Sequence, residues 1–309
     1  MRFPRTVLVS LLTLGTLSAS AGVASAATKA HQQPHSLGTI VIGNEGFTES
    51  YIMQDIYGDL LTKAGYTVTL LAQSGATRAQ EIPALESGKV DLVPDYAGSL
   101  LLFLNPKATA QAGTVTSAEN GIDAVLKPKG AVALPGTAGL DQNVFVVTQA
   151  TQKKYGLSTL SSLKAHAASM VLGAPPECST NYFCAPGLKA VYGLKFKQVK
   201  GYDEGGPLTV AAVKSGAAQV GELFSTESVI SADKFVQLTD NKNLEPADHL
   251  IPVVRNADDT ATLRNALAKV DSLLTTSELT TLDAAPSAGS HPSPATVASN
   301  FLKAAKLIS

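Results

Sequence analysis

Two aromatic residues occupy equivalent places in an internal repeat of this sequence. Residues 84–99, ALESGKVDLVPDYAGS, align without a gap to residues 212–227, AVKSGAAQVGELFSTE. In both segments a helix is predicted to end at Ser-Gly, a short apolar strand follows, and an aromatic residue, Tyr96 or Phe224, comes nine residues after the serine. Because ligands of open parallel sheets bind beyond the carboxyl ends of the strands, two such lobes facing each other would bring both rings to one cleft. The alternative is that both rings are ordinary core residues.

Catalytic chemistry has a weaker basis in the sequence. Asp95 and Glu222 lie beside the repeated aromatics and could serve as acid and base in an exported hydrolase. Glu222 precedes its ring by two residues and Asp95 by one, however, so the two carboxylates are not equivalent. The motifs G-x-S-x-G, H-E-x-x-H, G-x-x-x-x-G-K-[ST] and G-x-G-x-x-G are absent, and the five histidines are scattered. We therefore expect no enzyme, no cofactor and no metal site.

The first 26 residues have the features of a secretory signal. Arg2 and Arg5 precede an apolar stretch from Val7 to about Leu17, and the small-residue sequence AGVASA follows, so cleavage is expected after Ala26. The apolar stretch is shorter than the roughly 20 residues that span a bilayer, and no later segment is longer. Because no cysteine lies near the cleavage site for lipid attachment, we expect a periplasmic protein without membrane insertion.

Composition limits the class of partner. The chain has 24 basic and 25 acidic residues, and the signal carries two of the basic ones, which leaves 22 against 25 and a formal net charge of −3. A basic face for nucleic acid is therefore not expected. Since 45% of the residues are hydrophobic and 16% are charged, a large core is expected, with loose segments at 27–37 and 287–294.

Cys178 and Cys184 are the two cysteines of the chain. In an oxidising compartment this close pair is expected to form a disulfide that closes the loop CSTNYFC and contributes roughly 2 kcal/mol in the chain-entropy model. A metal site is the alternative, but two cysteines supply half of a structural zinc site and no histidine lies at ligand spacing.

Alternating strand and helix patterns predict an α/β protein. The first half is predicted to contain, in order, a strand at 37–44, a helix at 48–65, a strand at 66–72, a helix broken by Pro83 at 76–88 and a strand at 90–94. This βαβαβ order predicts a parallel sheet with helices on its faces. The second half repeats the alternation from 143 to 224, with a helix expected at 162–170, and a helical tail follows from about Thr260 to Leu307.

Three segments resemble a known protein family. IGNEGFTESYIMQDIYGDLLTKAGYTV, IPALESGKVDLVPDYAGSL and KKYGLSTLSSL are similar to the substrate-binding proteins of osmoprotectant ABC importers, which take up glycine betaine, choline or carnitine. The family pattern has F-T-E followed by P-[ED]-Y-x-G-[ST], and the similarity extends from about Thr39 to the C-terminus. The resemblance implies a monomeric receptor that binds a quaternary amine and delivers it to the permease subunits of an ABC transporter.

The resemblance also implies the fold. It is the type II periplasmic-binding-protein fold, in which two α/β lobes are joined by a two-segment hinge and close around the ligand. The chain is expected to cross between the lobes near 138–142 and 237–246. This assigns residues 38–139 and 243–309 to the first lobe and residues 140–242 to the second.

The ligand chemistry of the family accounts for aromatic strand ends. A trimethylammonium group has a full charge but no N–H, so the faces of aromatic rings hold it, each contributing about 0.5–2 kcal/mol. By family position, Tyr96 and Phe224 match cage aromatics and Ser99 matches a hydroxyl beside the ligand. Thr77, at a predicted helix start, is expected to present its hydroxyl and backbone N–H groups to a ligand carboxylate.

This chain departs from the family where relatives have N-N-T-Y, because L-D-Q-N places Asn143 at the position of a cage tyrosine. Phe224 likewise replaces a common tyrosine. Asp141, Gln142 and Asn143 either contact donors on a different ligand, such as an ergothioneine-like betaine, or form a polar hinge. Glu49 is either a site residue or a partner of the first helix dipole. The complete set of expected ligand contacts is Asn44, Phe47, Thr77, Tyr96, Ser99, Gln142, Asn143, Phe224, Ser225 and Thr226.

Overall fold

The structure is a computed structural model that describes, apart from the side chain of Ser287, residues 37–203, 205–287 and 291–309. These residues belong to one compact unit. The predicted signal peptide at 1–26 lies outside the described residues. So do residues 27–36 of the first predicted loose segment, 27–37, and residues 288–290 of the second, 287–294. None of the helices formed by the described residues has the length and apolarity that crossing a membrane requires.

The strands form two five-stranded sheets. Within the described residues the strands are β1 (Thr39–Ile42), β2 (Thr67–Leu70), β3 (Leu92–Tyr96), β4 (Ala131–Ala133), β5 (Asn143–Val147), β6 (Val171–Ala174), β7 (Gln198–Gly201), β8 (Val220–Phe224), β9 (Val236–Leu238) and β10 (Leu250–Arg255). The first sheet has the order β2-β1-β3-β10-β4 and the second the order β7-β6-β8-β5-β9. In each sheet one strand, β10 or β5, is antiparallel to its two neighbours. The predicted α/β architecture is confirmed.

The sequence repeat corresponds to a structural repeat. β3 ends at Tyr96 and β8 ends at Phe224, and each lies between a parallel strand and the antiparallel strand of its sheet. Gly88 and Gly216, which follow the preceding helices, both adopt left-handed backbone conformations, with φ of 74° and 77°. Both halves of the repeat therefore use glycine to stop a helix and send the chain into the strand that ends in an aromatic residue.

Helices flank both sheets. They are α1 (Thr48–Ala64), α2 (Arg78–Glu86), α3 (Ala97–Leu104), α4 (Val115–Leu126), α5 (Gln149–Tyr155), α6 (Ala185–Tyr192), α7 (Pro207–Ser215), α8 (Val229–Ala232), α9 (Ala261–Asp271), α10 (Thr276–Ala284) and α11 (Pro294–Ala304). Pro83 lies inside α2 without ending it. The helix predicted at 162–170 is instead a pair of 3₁₀ turns, because Thr159 and Ser162 bond reciprocally and tighten the chain at its start.

The C-terminal helices pack against the first sheet. Ile52 and Ile56 of α1 share one buried cluster with Leu263 of α9 and Val297 and Leu302 of α11. The predicted helical tail is thus three separate helices that cover α1. This packing places the end of the chain beside the lobe in which the described part of the chain begins.

Two segments connect the sheets, one between β4 and β5 and the other between β9 and β10. Leu140 and His249 form an isolated antiparallel bridge between these segments, and the Asp141 backbone N–H donates to the Asp248 carbonyl at 2.9 Å. The Ser225 hydroxyl donates to the Leu140 carbonyl at 3.2 Å. The predicted lobe boundaries, at residues 140 and 243, fall within these two connecting segments. The assignment of residues to the two lobes stays a prediction.

Cys178 and Cys184 form the predicted disulfide, with their Cα atoms 5.0 Å apart. Phe183, inside the closed loop, packs against a buried cluster of the first lobe that includes residues of α3. The loop of the second lobe therefore contacts the first. Glu222 lies beside the two sulfur atoms, but sulfurs joined in a disulfide are not thiolates and do not serve as metal ligands.

The two repeated glycines are expected to differ in their response to alanine. Each substitution strains a left-handed backbone, which costs about 1 kcal/mol. A Cβ at Gly216 meets no atom within 4 Å, whereas a Cβ at Gly88 lies 2.3 Å from Arg255 Nη1, which donates to the Gly88 carbonyl. We expect Gly88→Ala to lower the free energy of unfolding more than Gly216→Ala does, as measured by urea denaturation. Equal losses would show that Arg255 moves aside without cost and would contradict the expected difference.

Candidate functional site

A cavity of about 480 Å³ lies where β3 and β8 end. Tyr96, the last residue of β3, and Phe224, the last residue of β8, both line it. Asp141 and Asp248, one from each connecting segment, line it as well. The cavity therefore lies at the junction of the two lobes, and the repeat brings both aromatic strand ends to one space.

The wall from the first lobe is a stacked aromatic pair. The ring centroids of Phe47 and Tyr96 are 5.9 Å apart, with an angle of 28° between the ring planes. Phe47 precedes α1 and is 38% exposed, whereas Tyr96 is 6% exposed and also belongs to the buried cluster around α1. The Tyr96 ring is thus a core residue and a cavity wall at once, and Phe47 is the more accessible of the two rings.

The wall from the second lobe combines an aromatic ring with an amide. Asn143 and Phe224 are directly paired across the antiparallel strands β5 and β8, and both line the cavity. The Asn143 Nδ2 donates to Glu245 Oε2 at 3.3 Å, and the Phe224 backbone N–H donates to Glu227 Oε1 at 3.1 Å. Asn143 therefore stands beside Phe224 at the place where a second ring would extend the aromatic wall.

Most of the expected ligand contacts border this cavity. Those that line it are Phe47, Tyr96, Ser99, Gln142, Asn143, Phe224 and Thr226. Asn44 is fully buried and holds its own loop, with Nδ2 donating to the Ala72 carbonyl at 3.3 Å. Thr77 is an exposed residue that caps α2 through a capping box with Gln80. Ser225 forms a hydrogen bond with a segment that connects the lobes, because its hydroxyl oxygen accepts from the Gln142 backbone N–H at 3.1 Å.

Arg78 is the one cation among the described residues that line the cavity. Its Nε and Nη2 atoms donate to Asp95 at 2.7–3.1 Å, and Nη2 also donates to Glu45 Oε2 at 3.0 Å. Burial lowers the pKa of Arg78, but the attraction of Asp95 and then Glu45 outweighs it, so the pKa is raised and the guanidinium stays charged. Two carboxylates therefore already neutralise this cation.

Carboxyl groups dominate the rest of the lining. Burial is the largest cause of a raised pKa in all six acidic residues that line the cavity, which are Glu45, Glu49, Asp141, Glu227, Asp248 and Asp283. The pKa rises to about 7 for Asp141 and about 8 for Glu227. Such shifts mean that burial and mutual repulsion oppose the ionised forms. A positive charge inside the cavity would relieve that repulsion.

Hydrogen bonds hold two of these carboxyls in place. Asp248 accepts from the Ser99 backbone N–H at 2.6 Å and from the Ser99 hydroxyl at 2.7 Å. Asp141 accepts from the Thr226 hydroxyl at 3.0 Å and from the Thr226 backbone N–H at 3.3 Å. Ser99 and Thr226, both expected as ligand contacts, therefore orient acidic groups that face the cavity.

Five charged lining residues were missed by the sequence analysis, namely Glu45, Arg78, Glu227, Asp248 and Asp283. Glu227 is the counterpart of Ser99 in the repeat, so the repeat contained a signal for it. Asp283 belongs to α10 in the C-terminal tail, and no local motif relates it to the strand ends. Its position in the cavity follows from the packing of the tail against α1.

The acid and base considered for a hydrolase do not border the cavity. Asp95 is fully buried and is paired with Arg78. Glu222 is buried within β8, where it is paired in register with Phe145. Glu222 lines a neighbouring cavity that Phe224 also borders. Asp95 lines neither cavity, so the structure does not bring the two carboxylates together beside the aromatic rings.

Comparison with known proteins gives a consistent result. Residues 38–304 match the sequence profile of the family described as the substrate-binding domain of ABC-type glycine betaine transport systems. The chain is 26% identical over 231 residues to a glycine-betaine-binding protein of Pseudomonas aeruginosa, covering 70% of this chain and 71% of the relative.

Solved structures agree with the fold. A glycine betaine/carnitine/choline ABC transporter protein is 25% identical, with a TM-score of 0.71 over 87% of this chain and 98% of the other. The ligand-free protein YehZ of Escherichia coli is 20% identical, with a TM-score of 0.68 over 87% of this chain and 99% of the other. The expected two-lobed, type II periplasmic-binding-protein fold is confirmed.

Removal of the Arg78 guanidinium is expected to destabilise the fold. Arg78→Ala leaves the fully buried Asp95 without its cation, and breaking a buried ion pair in this way costs about 3–5 kcal/mol. The free energy of unfolding from urea denaturation measures this loss. In an Asp95→Asn background the same substitution should cost less, because no buried charge is left unpaired. Equal losses in the two backgrounds would show that Arg78 does not act through Asp95.

Proposed function

Because the chain belongs to the family of substrate-binding domains of ABC-type glycine betaine transport systems, we propose that its cleft captures a small quaternary-ammonium compound for delivery to a permease. The observation that carries this proposal is the cavity bordered by aromatic rings from both lobes, Phe47 and Tyr96 on one side and Phe224 on the other. A hinge between the lobes allows these walls to close on a ligand and exclude water.

Two kinds of group in the cavity suit a methylated cation. Ring faces attract a cation through their quadrupole, and each contributes about 0.5–2 kcal/mol depending on how far it is desolvated. The carboxyl groups supply a negative potential over the whole cavity without needing an N–H donor on the ligand. A trimethylammonium group suits both the ring faces and the carboxyl groups, since it is large, apolar at its surface and fully charged.

The charge distribution favours a ligand without a carboxylate. Among the described residues, six carboxyl groups and one guanidinium line the cavity, and the guanidinium already donates to Asp95 and Glu45. A free carboxylate on the ligand would find no unpaired cation among the described lining residues, and any ionised carboxyl group about 4 Å away would repel it by about 4 kcal/mol at the effective dielectric of a protein surface. We therefore propose that choline-like cations bind more tightly than the zwitterion glycine betaine.

The location of the receptor follows from the family and from its N-terminus. Members of this family are extracytoplasmic. The signal expected at residues 1–26 and the absence of a cysteine at its end lead us to propose a periplasmic protein released after Ala26. A ligand that binds the closed lobes more tightly than the open ones shifts the receptor toward the closed state, which is then presented to the membrane permease.

A titration panel tests the assignment. Isothermal titration calorimetry with choline, glycine betaine, carnitine and ergothioneine should give the tightest binding for choline, with glycine betaine weaker by about tenfold or more. Tyr96→Ala should weaken choline binding about five- to thirtyfold, because one ring face is lost.

Tyr155→Ala is the matched control for this variant. It removes a half-buried tyrosine that packs on His166 and does not border the cavity. The control should bind choline as the unmodified protein does. Tighter binding of glycine betaine would contradict the charge argument, and chemical conversion of any of these ligands would contradict the receptor assignment.

A further inference from the structure

Glu49 and Asp283 place two carboxyl groups against each other inside the cavity. Glu49 lies in the first turn of α1 and Asp283 near the end of α10, and both line the cavity. Burial and then repulsion from Asp283 raise the pKa of Glu49, so the two carboxyl groups interact with each other in the cavity that both line. Two buried carboxyl groups that repel each other favour a retained proton or a bound cation, because the fully ionised pair is strongly repulsive.

Glu49 is buried and only partly satisfied. It is 5% exposed, and its Oε1 accepts a hydrogen bond from the Tyr96 hydroxyl. No donor among the described residues bonds its Oε2 atom, and the same holds for Asp283 Oδ1. A buried acceptor without a donor is costly in a folded protein, so this atom points to an occupant that the empty cavity lacks.

No basic side chain among the described residues of the cavity compensates the pair. The groups that face it are Asp141 from the hinge, Tyr96 from the end of β3, and Thr226 and Glu227 after β8. All of these are acids or hydroxyls. Arg78 donates instead to Asp95 and Glu45.

We propose that the Glu49–Asp283 pair is a proton-exchanging cation subsite, in which the positive charge of the ligand replaces the proton that the pair shares in the empty receptor. Each binding event then transfers about one proton from the pair to solvent. No covalent bond of the ligand is made or broken. The inference rests on the proposed capture of an organic cation and adds that only a net positive ligand displaces the proton.

The acid strengths of these groups support the exchange. Burial, followed by repulsion from Asp283 and Asp141, raises the pKa of Glu49 well above its usual value. Burial raises the pKa of Asp283 to about 6. The empty pair therefore retains a proton near neutral pH, and a cation placed beside it lowers both pKa values again.

The direction of the pH effect follows from this linkage. Below the raised pKa values the empty pair is protonated, and the ligand must displace a proton, so binding is weakened. As the pH rises, the empty receptor loses this proton and the affinity for the cation increases, by up to about tenfold per pH unit when one proton is exchanged. Choline isolates the effect, because a quaternary ammonium does not itself titrate.

Calorimetry with choline in buffers of different ionisation enthalpy measures the protons released. We expect release of about one proton per choline near pH 7 and a dissociation constant that falls as the pH is raised from about 6 to about 8. Binding of choline with no proton release and no pH dependence would overturn the exchange while leaving the proposed function intact. Absence of choline binding across this pH range would overturn both.

Two substitutions test whether the proton released on choline binding comes from the Glu49–Asp283 pair. Glu49→Gln still accepts from Tyr96 and donates to Asp283, so it should fold, but it should release no proton, show a flattened pH dependence and bind choline more weakly at about pH 8. Asp283→Asn should give the same result and serves as the second variant if Glu49→Gln fails to fold.

Glu81→Gln is the matched control for these variants. Glu81 is a 4% exposed glutamate of α2 whose pKa burial raises to about 7, and it does not border the cavity. The control should release protons as the unmodified receptor does. Proton release retained in both Glu49→Gln and Asp283→Asn would place the proton on another carboxyl and overturn the assignment to this pair.

Discussion

The cluster of carboxyl groups around the cleft is the constraint on which the account of this protein depends. Burial opposes ionisation of every carboxyl group that lines the cavity, and the guanidinium of Arg78 is already bonded to Asp95 and Glu45. A fold tolerates such a cluster when the groups share protons or when a cation enters. Under the proposed function, a cation in the cleft meets this requirement, and the aromatic rings select which kind of cation binds.

The repeated architecture explains how the cleft arises. The two sheets have the same arrangement of parallel and antiparallel strands, and in each the strand that follows a glycine-terminated helix ends in an aromatic residue. The residue that lies beside the aromatic strand end differs between the two lobes. On the first lobe, Phe47 stacks on Tyr96, and on the second, Asn143 is paired in register with Phe224. Because Asn143 replaces a tyrosine of the family pattern, the described residues of the first lobe contribute two aromatic rings to the cavity and those of the second lobe contribute one.

Local patterns predicted much of the fold and the aromatic part of the site. Strand ends at Tyr96 and Phe224, the helix stops at Gly88 and Gly216, and the disulfide loop are encoded by residues close together in the chain. The 3₁₀ turns near Thr159 were missed because local hydrogen bonds there override the apolar pattern of a helix. Periodicity alone does not distinguish these two outcomes.

The acidic part of the site depends on long-range packing. Arg78 meets Asp95 through the approach of α2 to β3, and Asp283 reaches the cavity because the C-terminal helices return to cover α1. Neither residue lies in a motif with a fixed spacing to the aromatic strand ends. The family resemblance located the rings and hydroxyls but gave no indication of the Glu49–Asp283 pair, because that contact joins the first and last parts of the described chain.

A crystal structure of the receptor with choline bound tests the central claim most directly. The account predicts that the quaternary nitrogen lies within about 6 Å of the ring centroids of both Tyr96 and Phe224, the range over which a cation and an aromatic face attract. It also predicts that the bound cation lies beside the carboxyl groups of Glu49 and Asp283. A nitrogen bound in contact with one lobe alone, away from these rings and carboxyl groups, would contradict the account.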